Sequence, residues 1–219
     1  MVDYALQYAG RGWRVFPLQG KIPYKGTSGF KEATTDPAMI EWRWSKWPDA
    51  NIGLATGNGL IVLDVDGPDG LAELKAWIAA HGALPATLAS RTGNGAHLFF
   101  AYDGDDIRSS ARGNLHVRGA GGYAVLPPSL HPNGRRYEWI DGSVTVAKLP
   151  DRLKEWMLSG GRASVNGSSP LRRVERPAYL ERLCSRGLAS TALQALSQAE
   201  STWSPQEQKR IESALKAIP

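Results

Sequence analysis

Two aspartates at the end of an apolar run are the residues of this 219-residue chain whose spacing most directly suggests chemistry. Asp64 and Asp66 follow residues 60–63, a short aliphatic run typical of a strand buried on both faces. Residues two apart on a strand share a face, with Cα atoms ~6.5–7 Å apart, so the two carboxylates can hold one or two hard divalent cations. The alternative interpretation is an ordinary solvated turn at Asp66 and Gly67.

A histidine follows a glycine-rich turn further along the chain. His97 stands near the start of a strand-like run, directly after the turn formed by residues 93–95. A histidine in this position could contact a triphosphate, and the glycines would let backbone amides approach phosphate. Arg91, across the same turn, could add a phosphate contact. The alternatives are a structural histidine and a surface charge.

A third cluster of polar residues and glycines covers residues 115–129. His116 and Arg118 share one face of a predicted strand, and the glycines after them predict a hairpin to a second strand at residues 123–126. Two prolines, at positions 127 and 128, end that strand and are expected to hold Ser129 in an extended position. By itself this segment indicates only a hairpin.

These residues must be positioned by an alternation of helices and strands. A first helix is predicted over residues 4–10 with Asp3 as its cap, and Asp36 and Pro37 open a second one that carries Trp42, Trp44 and Trp47. Two more helices are predicted at about 70–80 and 151–158. Predicted strands, besides residues 60–63, are 13–18, 87–91, 96–102, 115–118, 123–126 and 137–140. Early helices and a strand-rich middle predict an α+β fold around a mixed or antiparallel sheet.

The composition changes near the end of the predicted fold. Residues 159–170 are small and flexible, which predicts a linker between a larger domain at 1–158 and a small helical module at 171–219. A capping box at residues 204–207 supports a helix in that module. Its arginines could follow the phosphates of a DNA template or form a solvated helical face, and the sequence favours neither.

Composition limits the class of protein. The net charge of +5 is compatible with nucleic acid but does not require it. A single cysteine, Cys184, excludes an internal disulfide framework and fits a reducing compartment. The chain shows neither a membrane-length apolar run nor a secretory signal, so we expect a cytoplasmic protein and no membrane partner.

Together these segments resemble the bifunctional primase-polymerase family of the archaeo-eukaryotic primase superfamily, which occurs in plasmid and phage replication proteins. The resemblance runs from about residue 4 to residue 156 and lies in an ordered series of short motifs rather than in one of them. Besides the segments above, the series consists of residues 9–18, 21–23, 29–34, 51–57 and 84–87.

The resemblance implies a role for several residues. Asp64 and Asp66 match the paired acidic motif that holds the catalytic metals, Mg²⁺ or Mn²⁺, and His97 matches the histidine that contacts the incoming triphosphate. The family has an acidic residue where this chain has His116. As a metal ligand, His116 would bind through nitrogen, which suits manganese, cobalt or zinc better than magnesium. The alternatives are that the third ligand comes from elsewhere or that this variant is weakened.

Four more residues are implied less directly by the same resemblance. Arg118 and Ser129 fit secondary phosphate contacts, and Lys21 and Lys25 fit a basic lip near the nucleotide. The activity implied is a template-directed nucleotidyltransferase that makes and extends primers on single-stranded DNA from nucleoside triphosphates by two-metal catalysis. The chain lacks a Gly-Lys-Ser or Gly-Lys-Thr phosphate loop, so a helicase partner would lie elsewhere in a longer protein or act in trans.

The same residues allow two other interpretations of the function. His116 motivates a catalytically weakened module that binds DNA or nucleotide, although a binding module has no need of Asp64, Asp66 and His97 together. The second interpretation is a haloacid-dehalogenase phosphohydrolase, whose nucleophilic aspartate also ends an apolar strand. Against it, sixty residues precede this strand and Pro68 follows the glycine where that family has threonine.

Overall fold

The computed structural model describes residues 1–159. Four α-helices lie in this range: α1 (Val2–Gly10), α2 (Pro37–Lys46), α3 (Gly67–His81) and α4 (Asp151–Leu158). The strands are β1 (Val15–Gln19), β2 (Ile22–Pro23), β3 (Asn51–Ala55), β4 (Gly59–Val65), β5 (Ala89–Arg91), β6 (Ala96–Tyr102), β7 (Ser110–Arg112), β8 (Leu115–Arg118), β9 (Tyr123–Leu126), β10 (Glu138–Trp139) and β11 (Ala147–Lys148). A short 3₁₀ helix covers Gly29–Glu32.

The strands form two sheets. One has four antiparallel strands in the order β2-β1-β3-β9, and the other has seven, with β10-β5-β6-β4-β8-β7 in sequence across it. The seventh strand, β11, pairs in parallel with β6, whereas the other pairs of this sheet are antiparallel. The predicted α+β fold with a mixed sheet is therefore confirmed for residues 1–159.

Strand β4 is the centre of the larger sheet and is covered on both sides. Successive side chains of a strand point to opposite faces, so its apolar run serves two cores. Ile61, Leu63 and Val65 pack with helices α3 and α4. Leu60 and Val62 pack with the four-stranded sheet and with helices α1 and α2. The prediction of a strand buried on both faces is confirmed, and Asp64 continues the face that looks toward the smaller sheet.

Two helix starts differ from the sequence prediction. Helix α1 begins at Val2 after Met1, and Asp3 lies inside its first turn, so the prediction that Asp3 caps it is wrong. Helix α3 begins at Gly67, three residues before the predicted start, because the chain turns into the helix directly after Asp66. The predicted cap of α2 is confirmed: the Asp36 carboxylate accepts a hydrogen bond from the amide of Ala38 at 3.0 Å.

The predicted hairpin between β8 and β9 is wrong. Strand β8 pairs with β4 and β7 in the larger sheet, whereas β9 pairs with β3 in the smaller one. The glycine-rich segment between them carries the chain across from one sheet to the other. Gly119 approaches the carbonyl of Ile107 so closely that a Cβ atom would lie 2.2 Å from its oxygen, which explains the glycine at that position. The segment therefore links the two layers of the fold.

The three tryptophans of α2 divide between the core and the surface. Trp44 is buried and its indole N–H donates to the carbonyl of Ala50, and Trp47 packs against the same core with its ring 4.4 Å from that of Tyr24. Trp42 is half exposed, with the ammonium of Lys46 3.7 Å from its ring centre. Trp44 and Trp47 therefore belong to the core, and Trp42 lies at the surface.

Two predicted parts of the chain lie outside the described residues. These are the linker beyond Ser159 and the helical module at 171–219, including its arginines and Cys184. Within residues 1–159, each helix is too short or too polar to cross a lipid bilayer.

Candidate functional site

A row of polar side chains crosses four strands of the larger sheet on the face toward the smaller sheet. The antiparallel register places Asp64 of β4 opposite His116 of β8 on one side and opposite His97 of β6 on the other. His97 in turn lies opposite Ser90 of β5. Directly opposed residues share a face of the sheet, so strand pairing alone assembles His116, Asp64, His97 and Ser90 in this order. We call these four residues and Arg118 the polar row.

Asp64 is the centre of the polar row. Its Oδ2 accepts two hydrogen bonds from the guanidinium of Arg118, from Nη2 at 2.8 Å and from Nε at 3.2 Å. Its Oδ1 lies 3.5 Å from Nε2 of His97, and Oδ2 lies 3.8 Å from Nδ1 of His116. Both oxygens therefore already face nitrogen atoms of the protein.

The ring of His116 has a defined orientation. Its Nε2 lies 3.2 Å from the carbonyl oxygen of Gly113, which can only accept, so Nε2 carries the proton. In the neutral ring Nδ1 then has a free lone pair. That atom faces Nη2 of Arg118 at 3.4 Å. Arg118 thus donates toward both Asp64 and His116.

His97 is enclosed by protein. Its side chain is 7% exposed and lies between the rings of Phe99 and Tyr137, whose centres are 6.2 and 5.8 Å away. Nδ1 of His97 and Oγ of Ser90 are both buried and make no hydrogen bond of standard geometry within residues 1–159, although the backbone of Val125 is close enough to His97 to raise its pKa slightly. The ring therefore presents Nε2 to Asp64 from a largely apolar setting.

Burial and the neighbouring charges set the pKa values of this pair. Burial alone would raise the pKa of Asp64, but the contacts with His97 and Arg118 outweigh it and hold the pKa below its ordinary value. For His97 burial lowers the pKa, and the attraction of Asp64 only partly offsets this effect. Asp64 is accordingly ionised and His97 neutral in the folded protein near neutral pH.

A neutral buried His97 makes stability depend on pH. The unfolded chain protonates this histidine near its ordinary pKa of about 6.5, whereas the folded protein resists protonation. We therefore expect the free energy of unfolding to decrease as the pH falls from 7.5 to 5.5. The measurement is urea denaturation across this range in EDTA. His97→Gln, which cannot titrate, should show a shallower decrease, and an equal slope in both proteins would contradict the expectation.

Asp66 lies two residues beyond Asp64 but occupies a different environment. It is exposed at the point where β4 turns into α3 and is not among the groups that contact Asp64. Burial is the largest cause of the raised pKa of the Tyr137 hydroxyl. The negative charges of Asp64 and Asp66 raise this pKa further. The Tyr137 hydroxyl therefore lies within electrostatic range of both aspartates.

Sequence reasoning did not identify Tyr137 or Ser90 as site residues. Tyr137 is 3% exposed and its ring stands between His97 and His131, whose centres are 5.8 and 5.9 Å away. Ser90 enters the polar row only through its pairing with His97. No local signal in the sequence distinguishes either residue, because both are placed by contacts between strands distant in the chain.

The glycine-rich turn before His97 is internally hydrogen-bonded. The amides of Asn94 and Gly95 donate to Oγ1 of Thr92, so these two amides are not free to bind phosphate. Asn133 and Arg135 both donate to the carbonyl of Gly93 and fasten the turn from outside. A Cβ at position 95 would lie 2.0 Å from the carbonyl oxygen of Val65, so the glycine is needed for close packing against the end of β4.

Two residues predicted to bind nucleotide lie away from the polar row. Arg91 opposes Ala96 and Glu138, on the other face of the sheet from Ser90, and its Nη1 is 3.5 Å from the carboxylate of Glu138. Ser129 is fully buried, and its hydroxyl accepts a hydrogen bond from the amide of Ile52. This hydrogen bond links the segment that follows β9 to strand β3.

The two predicted lysines differ in their relation to the row. Lys21 lies in the turn between β1 and β2, where its carbonyl accepts a hydrogen bond from the Tyr123 hydroxyl, and its charge contributes to lowering the pKa of His97. Lys25 is exposed and is not among the groups that act on the polar row. The structure therefore brings Asp64, His97, His116 and Arg118 together, and Lys21 acts on His97 through its charge.

The described residues do not fit a divalent cation as they are arranged. Carboxylate and imidazole are suitable ligand types, but a single arginine holds Oδ2 of Asp64 and faces Nδ1 of His116. No group of three or more histidine, cysteine, aspartate or glutamate side chains in residues 1–159 is arranged to hold a metal ion. The predicted ligand set of Asp64, Asp66 and His116 is therefore not assembled.

Comparison with known proteins gives one finding. The family model described as bifunctional DNA primase/polymerase, N-terminal, matches residues 5–152, which is more than half of the chain. No curated protein sequence matches the chain. The match covers all four strands that carry the polar row.

Proposed function

Because this chain belongs to the bifunctional DNA primase/polymerase family, we propose that it synthesises primers and extends them on single-stranded DNA from nucleoside triphosphates. The family is one of nucleotidyltransferases that act on DNA and nucleotides and generally use divalent metals. We place the reaction in phage or plasmid replication, on the resemblance of the whole motif series.

The observation that carries this proposal is the assembly of the polar row at one place in the fold. Asp64, His97 and Arg118 come from three strands that pair directly, and they meet on the face between the two sheets. The ionised carboxylate of Asp64 contacts both the neutral imidazole of His97 and the partly exposed guanidinium of Arg118, and burying such a carboxylate and imidazole costs free energy, which is typical of a functional site. Their positions also match the family motifs.

The residues of this chain can perform defined parts of the reaction. The guanidinium of Arg118 is 38% exposed and presents a planar, charged donor that matches phosphate oxygens. Lys21, in the turn between β1 and β2, adds a second positive charge that acts on His97. Asp64 holds Arg118 in place. The rings of Phe99 and Tyr137 hold His97 with its Nε2 directed at Asp64. We propose that this group binds and orients the triphosphate.

The test is a primer-synthesis assay on single-stranded DNA with labelled nucleotides, run in parallel with Mg²⁺ and Mn²⁺. We expect short labelled products that depend on template and on a divalent cation. A second template of different base sequence should change the nucleotide composition of the products, because the template directs which nucleotides are incorporated. A folded protein that yields no product with either metal would overturn the proposal.

A catalytically weakened binding module is the second candidate function. It is favoured by His116, which stands where the family has an acidic residue, and by Arg118, which engages the neighbouring Asp64. This candidate predicts that the protein retards single-stranded DNA or binds a nucleotide but gives no product in the same assay. Binding without synthesis would therefore favour it.

A further inference from the structure

The lone pairs that a cation would need at this site converge on an arginine. Nη2 of Arg118 lies 2.8 Å from Oδ2 of Asp64 and 3.4 Å from Nδ1 of His116. Nδ1 has a lone pair because Nε2 donates to the carbonyl of Gly113. One nitrogen of the protein thus stands between a carboxylate and an imidazole, as a bound cation would.

The register between strands β4 and β8 places Arg118 within reach of Asp64. Arg118 opposes Val62, which is two residues before Asp64 on the same face, so its side chain reaches Asp64 diagonally across β4 and β8. Asp64 is 15% exposed, so the ion pair is shielded on the carboxylate side. Charge-assisted hydrogen bonds in such a setting are stronger than those of a fully exposed pair.

We propose that Arg118 fills the position beside Asp64 that a divalent cation would take, so that the folded protein excludes a cation there as long as the guanidinium contacts Asp64. The guanidinium already supplies the positive charge and the hydrogen-bond donors that satisfy Oδ2 of Asp64, and a cation cannot bind the same oxygen without displacing it. This competition rests on the contacts alone and does not depend on the proposed function.

The first test measures the affinity of the full chain for Mn²⁺ alone, from the electron paramagnetic resonance signal of the free ion. Arg118→Gln removes the competing charge and should tighten the Kd about tenfold or more, the scale of one lost charge-assisted bond. Arg11→Gln, which removes an exposed charge at the end of α1, should leave the Kd unchanged. An Arg118→Gln Kd equal to or weaker than that of the wild type would overturn the proposal.

A second measurement uses the wild-type protein and so avoids any loss of folding in the variant. The Nε–H resonance of Arg118, identified as the signal missing from the ¹⁵N spectrum of Arg118→Lys, reports the hydrogen bond to Asp64. An equimolar amount of Mg²⁺ should leave it in place, because the cation does not displace the guanidinium from Asp64. A full shift with equimolar Mg²⁺ alone would contradict the proposal.

Neither measurement involves DNA or turnover, so its failure differs from failure of the proposed function. If Arg118→Gln fails to tighten Mn²⁺ binding while the wild type makes primers, the inference falls and the function stands. If the Kd tightens as expected but no primer is made, the competition stands and the function falls.

Discussion

Replacing Asp64 by asparagine is expected to reduce nucleotide incorporation by about a thousandfold or more while the protein remains folded. Asp64 is the carboxylate that contacts Arg118, His97 and His116 at once. Asparagine has nearly the same shape but no charge, so it cannot hold the guanidinium in its orientation. Any cation that the family's chemistry requires at this position would also lose an anionic ligand.

The effect of Asp64→Asn is measured as the initial rate of labelled nucleotide incorporation on a primed single-stranded template. Asp105→Asn serves as the matched control, because it removes an exposed carboxylate on the loop between β6 and β7, on a different part of the surface. The control should keep the rate of the wild type. A rate for Asp64→Asn within tenfold of the wild type would show that the polar row is not the catalytic centre.

Replacing Phe99 by alanine is expected to lower the free energy of unfolding by about 3–5 kcal/mol, the cost of removing a buried aromatic ring. Phe99 is fully buried on β6, with its ring stacked on Trp13 at 5.8 Å and tilted against Trp139 at 5.2 Å. The same ring forms one wall of the site of His97. We therefore expect the substitution to affect both stability and the position of His97.

Urea denaturation of the purified variant measures this loss. Phe30→Ala is the matched control, because Phe30 is only partly buried at the edge of a smaller core cluster, and its loss should cost clearly less. Phe99→Leu should lie between the wild type and Phe99→Ala, since it retains part of the buried volume. Equal losses for Phe99→Ala and Phe30→Ala would contradict the assignment of Phe99 to the central core.

The sequence predicted most of the secondary structure because local patterns carry it. The apolar residues 60–63 gave the central strand β4, and the predicted bounds of β6, β8 and β9 are those of the structure. Strand β3 was not predicted as a strand, because its short run includes Asn51 and Gly53, which are unfavourable in strands. The hairpin between β8 and β9 was wrongly predicted because glycines mark a change of direction but not which sheet receives the next strand.

The sequence by itself determined which residue types could do chemistry and that Asp64, His97 and Arg118 lie on strands. Only the tertiary structure decided which of them meet, because register between strands is fixed by hydrogen bonds between segments distant in the chain. Register aligned His116, Asp64 and His97, and it turned Arg91 to the opposite face.

Ser129 illustrates the same limit. The family resemblance implied a phosphate contact for its hydroxyl, but the packing of the smaller sheet buries it against the amide of Ile52. The contact of Arg118 with Asp64 is likewise invisible in the sequence, where the two residues stand far apart. Side-chain identity is local information, whereas burial and pairing depend on the whole fold, and the chemistry of this site depends on both.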